Sequence, residues 1–336
     1  MRDFSLNIMQ STKHIAQNIE YKTQRKMNHM ISVILAKKIL SLFIIMLLGI
    51  GLVKRNVITV EGSKSISLVM LYLMIPCSII NSFQVDYTDE IRDGLLLAFA
   101  ASVILHVAMI LLTWILERFI KLEAVEKASV IYSNAGNLII PIVTSVLGPE
   151  WVIYSSGFIS VQLFLLWSHG KMLLGGEKGF DARKVFSNIN MIAVFVGIIM
   201  FFTKLRLPAI VLDSVSSVAS MLGPSAMLVT GILLSEVDWK KVLGYSGLWK
   251  TVFLRLIVYP MMGVLLLKGL GMPEMVENGE TILLVTLLAN MTPPASTVTQ
   301  MSQIYGKNAD YASAINVVCT LLCIVTMPLM VMLYQM

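Results

Sequence analysis

Two polar interruptions carry most of the chemistry available to this chain: S-N-A-G-N-L-I-I-P at 133–141 and L-A-N-M-T-P-P-A at 288–295. Each falls inside an apolar stretch long enough to span a bilayer. In each, an Asn stands four positions before a Pro, Asn137 before Pro141 and Asn290 before Pro294. A membrane helix broken at mid-depth frees backbone N–H and C=O groups that lipid cannot satisfy, so a break survives only inside protein or against a cavity. The first half-helix then ends in free carbonyls and the second begins with free N–H groups. That second N-terminus carries about half a positive elementary charge and holds an anion without a basic side chain. Pro141 and Pro294 suit the start of such a second half-helix, where a missing N–H loses nothing. Asn137 and Asn290 are placed to donate to a carboxylate. Ser133, Asn134, Thr292 and Pro293 belong to the same segments, Ser296 and Thr297 follow, and Gly136 relieves backbone crowding at the first break.

Other chemistry-bearing residues inside apolar stretches are few. Arg255 sits in T-V-F-L-R-L-I-V-Y-P. A buried Arg is costly and marks a functional candidate; it contacts substrate, snorkels to an interface or caps the carbonyl end of a broken half-helix. His106 and His169 either carry protons or hydrogen-bond a neighbouring helix. No Asp or Glu lies near the middle of an apolar stretch; Asp213, Glu236, Asp238 and Asp310 fall at the ends. That argues against a carboxylate-coordinated sodium site and against a carboxylate proton relay. Cys77, Cys319 and Cys323 are all in apolar stretches and read as small packing residues, so neither a disulfide framework nor a metal site is expected. No cofactor is expected. Paired intramembrane Asp, a Ser–His pair and H-E-x-x-H are missing from usable positions, which excludes the familiar intramembrane hydrolases.

The elements that must position these residues are membrane helices. The chain has 336 residues, 57% hydrophobic and only 14% charged, the composition of an integral membrane protein. A net charge of +6 is no sign of nucleic-acid binding here, because the basic residues lie mostly in loops. Ten spans are expected, at 31–53, 64–83, 94–116, 125–147, 151–173, 189–205, 212–234, 247–267, 281–303 and 311–334. The fourth and ninth carry the breaks. With the first N-terminus outside, the inside loops hold fourteen Lys and Arg, among them Lys54, Arg118, Lys171 and Lys240, against four outside. Both termini are therefore expected outside a plasma membrane. The polar tail 1–30 contradicts this with its own basic residues, which translation from Met27 or Met30 would remove. Trp114, Trp151, Trp239 and Trp249 lie near span ends and read as interfacial anchors. Prolines such as Pro260 and Pro328 are expected only to kink their helices.

Five spans per half is an odd number, so the second half enters the membrane from the opposite side. Pro76 and Pro224 stand 148 positions apart, and the Asn–Pro breaks 153 apart. The same order and nearly equal spacing point to an inverted repeat, and in transporters so built the paired breaks mark the binding site.

The motifs E-K-A-S-V-I-Y-S-N-A-G-N-L-I-I-P at 126–141, L-A-N-M-T-P-P-A-S at 288–296 and Y-A-S-A-I-N-V-V-C-T-L-L-C-I-V-T-M-P-L at 311–329 resemble the auxin efflux carrier family, which includes bacterial proteins of the malate or malonate permease kind. Ile139 departs from the Gly common in its first motif, and the tail before Met30 is also unusual. The resemblance implies an all-α integral membrane fold of ten helices in two inverted five-helix repeats, 31–173 and 189–336, with helices 4 and 9 broken and crossing. It implies a scaffold of helices 1, 2, 6 and 7, a transport unit of helices 3–5 and 8–10, homodimers through the scaffold, and elevator-like movement. Asn137, Pro141, Asn290 and Pro294 match the two crossovers. The expected protein is a secondary transporter of a small organic anion, a mono- or dicarboxylate such as malate. Sodium-coupled carriage of the bile-acid-symporter type and efflux of an auxin-like indole acid are the alternatives.

Overall fold

The computed structural model describes residues 37, 40–175, 183 and 186–336, with only the backbone given at Gly136 and Asn137. The tail 1–30 and the start-site expectation lie outside the described residues. The described chain is helical throughout: α1 (Leu40–Lys54), α2 (Ser63–Ser82), α3 (Asp89–Leu116), α4 (Ala124–Ile131), α5 (Ala135–Val146), α6 (Pro149–Gly175), α7 (Ile189–Thr203), α8 (Ala209–Leu234), α9 (Trp239–Leu243), α10 (Leu248–Gly269), α11 (Gly279–Met291), α12 (Ser296–Ile304) and α13 (Ala309–Gln335). Six of these, α2, α3, α6, α8, α10 and α13, are long and apolar enough to cross a membrane, and α1, α7 and α11 are shorter apolar helices. The chain is a multi-pass, all-α membrane protein.

Local chemistry sets the ends. Thr88 Oγ1 accepts from the Ile91 N–H at 3.2 Å, with Asp89 and Glu90 in the first turn of α3; a cap and early acids suit the positive helix start. Asn188 caps α7 and Asn308 caps α13 in the same way. Lys204 ends α7 in the left-handed conformation at φ 57°. Three helices contain a widened π-helical turn, Met70–Met74, Leu166–Gly170 and Leu254–Val258. The first and third immediately precede Pro76 and Pro260, whose rings would otherwise press on the carbonyl four residues back. Trp114, Trp239 and Trp249 are exposed, with Arg118 over the Trp114 ring at 3.9 Å, whereas Trp151 is half-buried beside Tyr154.

α1 and α8 cross at backbone contact distance. A Cβ on Gly231 would collide with the Met46 carbonyl, and one on Gly49 with the Leu228 carbonyl. Close crossings of this kind are built from small residues in membranes. Gly231→Leu is expected to lower the melting temperature of the detergent-purified protein clearly, since overpacking costs about 1–3 kcal/mol and the obstacle is backbone. An unchanged melting curve would show that α1 is not held there.

Candidate functional site

The two breaks meet. α4 ends at Ile131 and α5 begins at Ala135; α11 ends at Met291 and α12 begins at Ser296. Between them the backbone is extended at Tyr132 and at Thr292 and Ala295. Asn134 N–H donates to the Pro293 carbonyl at 2.7 Å and Ala295 N–H to the Tyr132 carbonyl at 2.9 Å. These bonds bracket an isolated antiparallel bridge between Ser133 and Pro294. Backbone groups freed by one break are thus satisfied by the other, which answers the mid-depth cost that lipid would impose.

The registers of the prolines differ from expectation. Pro141 does not start the second half-helix; it lies inside α5, which begins six residues earlier at Ala135 with Asn134 as its cap. Pro294 lies in the break itself, two residues before α12. The reason is tertiary: pairing with 293–295 draws residues 132–134 out of the helix and fixes where α5 starts. Pro141 instead packs against α8, where a Cβ on Gly223 would sit 3.2 Å from the Pro141 Cβ.

Two amide side chains that sequence reasoning passed over complete the crossing. Gln162 of α6 accepts from the Ser133 N–H at 2.8 Å and hydroxyl at 2.7 Å, and donates to the Ser133 carbonyl at 2.7 Å. Asn316 of α13 donates to the Pro294 carbonyl at 2.9 Å, while its Oδ1 accepts from Thr320 at 3.1 Å. Each follows its break in the next long helix, and they stand 154 positions apart. A lone amide within an apolar run was the available signal.

Arg255 lies behind the crossing and is 0% exposed. Its Nε donates to the Thr292 carbonyl at 3.0 Å, Nη1 to Val130 at 3.0 Å, and Nη2 to Asn290 at 3.0 Å and Thr292 at 2.6 Å. Asn290 is equally buried; its Nδ2 is 3.4 Å from the Tyr259 carbonyl, and Oδ1 has no partner among the described residues. His106 Nδ1 donates to the Ser102 carbonyl at 2.7 Å and the ring packs on Phe158. His169 pairs through Nδ1 with the Tyr132 hydroxyl at 2.8 Å, joining α6 to the first break.

A cavity of about 860 Å³ opens in front of the crossing, within the size range of small-molecule sites. Its floor carries Ser133, Asn134, Gln162, Ser296, Thr297 and Asn316; its opposite wall comes from α2, α7 and α8. Of the expected site residues, Ser133 and Asn134 therefore reach the cavity, with Ser296 and Thr297 beside them. Pro141, Asn290, Thr292, Pro293, Pro294 and Arg255 do not line it, and the Asn137 side chain lies outside the described residues. Lys64, on the α2 side, is the one charged residue among the described lining. No group of His, Cys, Asp or Glu able to hold a metal occurs among the described residues.

A buried carboxylate also escaped the sequence reading. Glu126 of α4 is 2% exposed. Oε1 accepts from Tyr311 Oη at 2.7 Å and Thr251 Oγ1 at 3.1 Å, and Oε2 from Lys250 Nζ at 3.0 Å and the Glu123 N–H at 2.8 Å.

Among known proteins, a family profile described as membrane transport protein matches residues 34–331. No curated protein matches the chain.

Proposed function

The chain belongs to the membrane transport protein family, the auxin efflux carriers its motifs resemble, and from that premise we propose that it carries a small organic anion by alternating access. One observation carries the proposal: the cavity floor lies at the N-termini of α5 and α12 and offers hydroxyls and amides, with Lys64 as the sole charge and no carboxylate among the described lining. Two positive helix ends and neutral side-chain donors favour a carboxylate group. A carboxylate side chain in that wall would oppose one. A mono- or dicarboxylate such as malate fits this chemistry.

The supporting architecture is the ten-span inverted repeat. α1, α2, α7 and α8 serve as scaffold and the remaining long helices carry the crossing, so that sliding of one against the other exposes the site to each side in turn. Lys64, Trp167, Asn188 and Val237 line the cavity beside loops that the basic-residue bias places in the cytoplasm. The conformation is accordingly inward-facing, in a plasma membrane.

The test is a thermal-shift screen of purified protein against mono- and dicarboxylates and indole acids, followed by proteoliposome uptake of the best stabiliser. Asn134→Ala and Asn137→Ala are each expected to cut uptake about tenfold or more, the worth of one hydrogen bond to a charged group, while expression persists. Wild-type affinity in both variants would overturn this site.

A further inference from the structure

A broken membrane helix creates a negative end as well as a positive one. α4 and α11 both stop at the crossing, and each leaves terminal carbonyls without N–H partners and about half a negative charge. Together the two ends amount to about one elementary charge, held where water does not reach. Carbonyl oxygens gathered in this way are a site for a small cation such as sodium.

That place is filled by a side chain. The Arg255 guanidinium donates to Val130, at the end of α4, and to Asn290 and Thr292, at the end of α11. Among the described residues its hydrogen bonds run to carbonyls only, no carboxylate bonds to it, and it is fully buried. An uncompensated buried cation would be expelled to an interface. Here one positive charge meets two half-negative helix ends, and its planar fork reaches both at once, which the point charge of a Lys would not do. Arg255 sits in the π-helical turn Leu254–Val258 of α10.

We propose that Arg255 is a resident cation: it occupies the carbonyl site between the two half-helix ends that a sodium ion would otherwise take, so the crossing is complete, and works, without a metal cation. The consequence for coupling rests on the transporter assignment; the occupancy of the carbonyl site does not.

Two readouts separate these. In the first, the melting temperature of purified protein is measured in sodium, potassium and choline chloride at matched ionic strength. Wild type is expected to melt identically in all three, and selective stabilisation by sodium would overturn the proposal. Arg255→Gly opens the site and is expected to melt lower. Millimolar guanidinium, or sodium in preference to choline, should restore part of the loss. Arg255→Leu, which removes the charge and fills the space, should not respond. A merely structural pin would leave both variants insensitive to added cations, and that result also overturns the proposal. Should Arg255→Gly fail to fold, Arg255→Ala takes its place, with the same comparison against Arg255→Leu. In the second readout, proteoliposome uptake should be equal with and without a sodium gradient, and a sodium requirement overturns the proposal. Failure of every anion to be taken up, with the melting results as expected, would strike the transport assignment and leave the resident cation standing.

Discussion

Gln162→Leu is expected to abolish uptake and to lower the melting temperature by more than any other single change on the cavity wall. Leucine keeps most of the volume, so packing is retained and the loss isolates the hydrogen bonds. Three are removed at once, to the Ser133 N–H, carbonyl and hydroxyl. Ser133 is 1% exposed, and each buried polar group left unpaired costs about 1–3 kcal/mol. The total, about 3–9 kcal/mol by the same measure, is a large share of the 5–15 kcal/mol that holds an ordinary domain together. The damage is also local to function, because Ser133 is bridged to Pro294. A shift there moves the starts of α5 and α12 together. Gln162→Glu separates folding from transport: it keeps the acceptor for the Ser133 donors but sets a negative charge on the cavity floor. It should fold better than the Leu variant and still fail to take up an anion. Asn316→Leu removes one bond to a break, at Pro294, from a half-buried side chain, and its effect should be smaller. Wild-type melting and uptake in Gln162→Leu would mean that the crossing does not depend on the α6 amide.

Much of the frame is legible in the sequence because hydropathy registers the apolar body of a helix directly. The expected span 151–173 is observed as Pro149–Gly175, 247–267 as Leu248–Gly269 and 311–334 as Ala309–Gln335. The third span runs longer than expected, Asp89–Leu116 against 94–116, because the Thr88 cap and the early acids carry the helix past its apolar stretch. The breaks were legible too, since Pro, Gly and Asn advertise missing or competing hydrogen bonds. Their register was not. A proline shows where an N–H is missing, but the start of α5 is decided by a partner segment about 160 residues away, as the Ser133–Pro294 bridge shows. The same holds for Gln162 and Arg255: the sequence places a polar group in an apolar run and is silent on which carbonyl it meets. Glu126 was passed over because it lies at the edge of its span, where a carboxylate normally faces water.

Glu126→Leu is the second change expected to cost heavily, and it acts at the opposite end of the same half-helix from Arg255. Four donors converge on the carboxylate, from Tyr311, Thr251, Lys250 and the Glu123 backbone. The substitution leaves the Tyr311 hydroxyl and the Glu123 N–H without their acceptor, while Lys250 keeps the Lys121 carbonyl and Thr251 the Gly247 carbonyl. Each buried polar group left unpaired costs about 1–3 kcal/mol, and Lys250, one-third exposed, adds little to that. Glu126→Gln keeps the shape but turns an amide NH₂ toward groups that donate, so its loss should fall between wild type and Leu. Gly247 gives an independent handle, because a Cβ there would run into Glu126 Oε1 and the Tyr311 hydroxyl; Gly247→Ala should reproduce part of the destabilisation without removing a charge. The measurement is the melting curve in detergent, and a Leu variant as stable as wild type would sink the assignment. The size of the expected effect follows from what α4 is. Its eight residues, Ala124–Ile131, are too few for a stable isolated helix, so its direction in the protein depends on what holds its ends. Glu126 ties the N-terminal end to α10 and α13, and Arg255 ties the C-terminal carbonyls to α10 and the end of α11. Releasing either end should let the first break drift from the second, and with it the pair of helix starts on which anion binding depends.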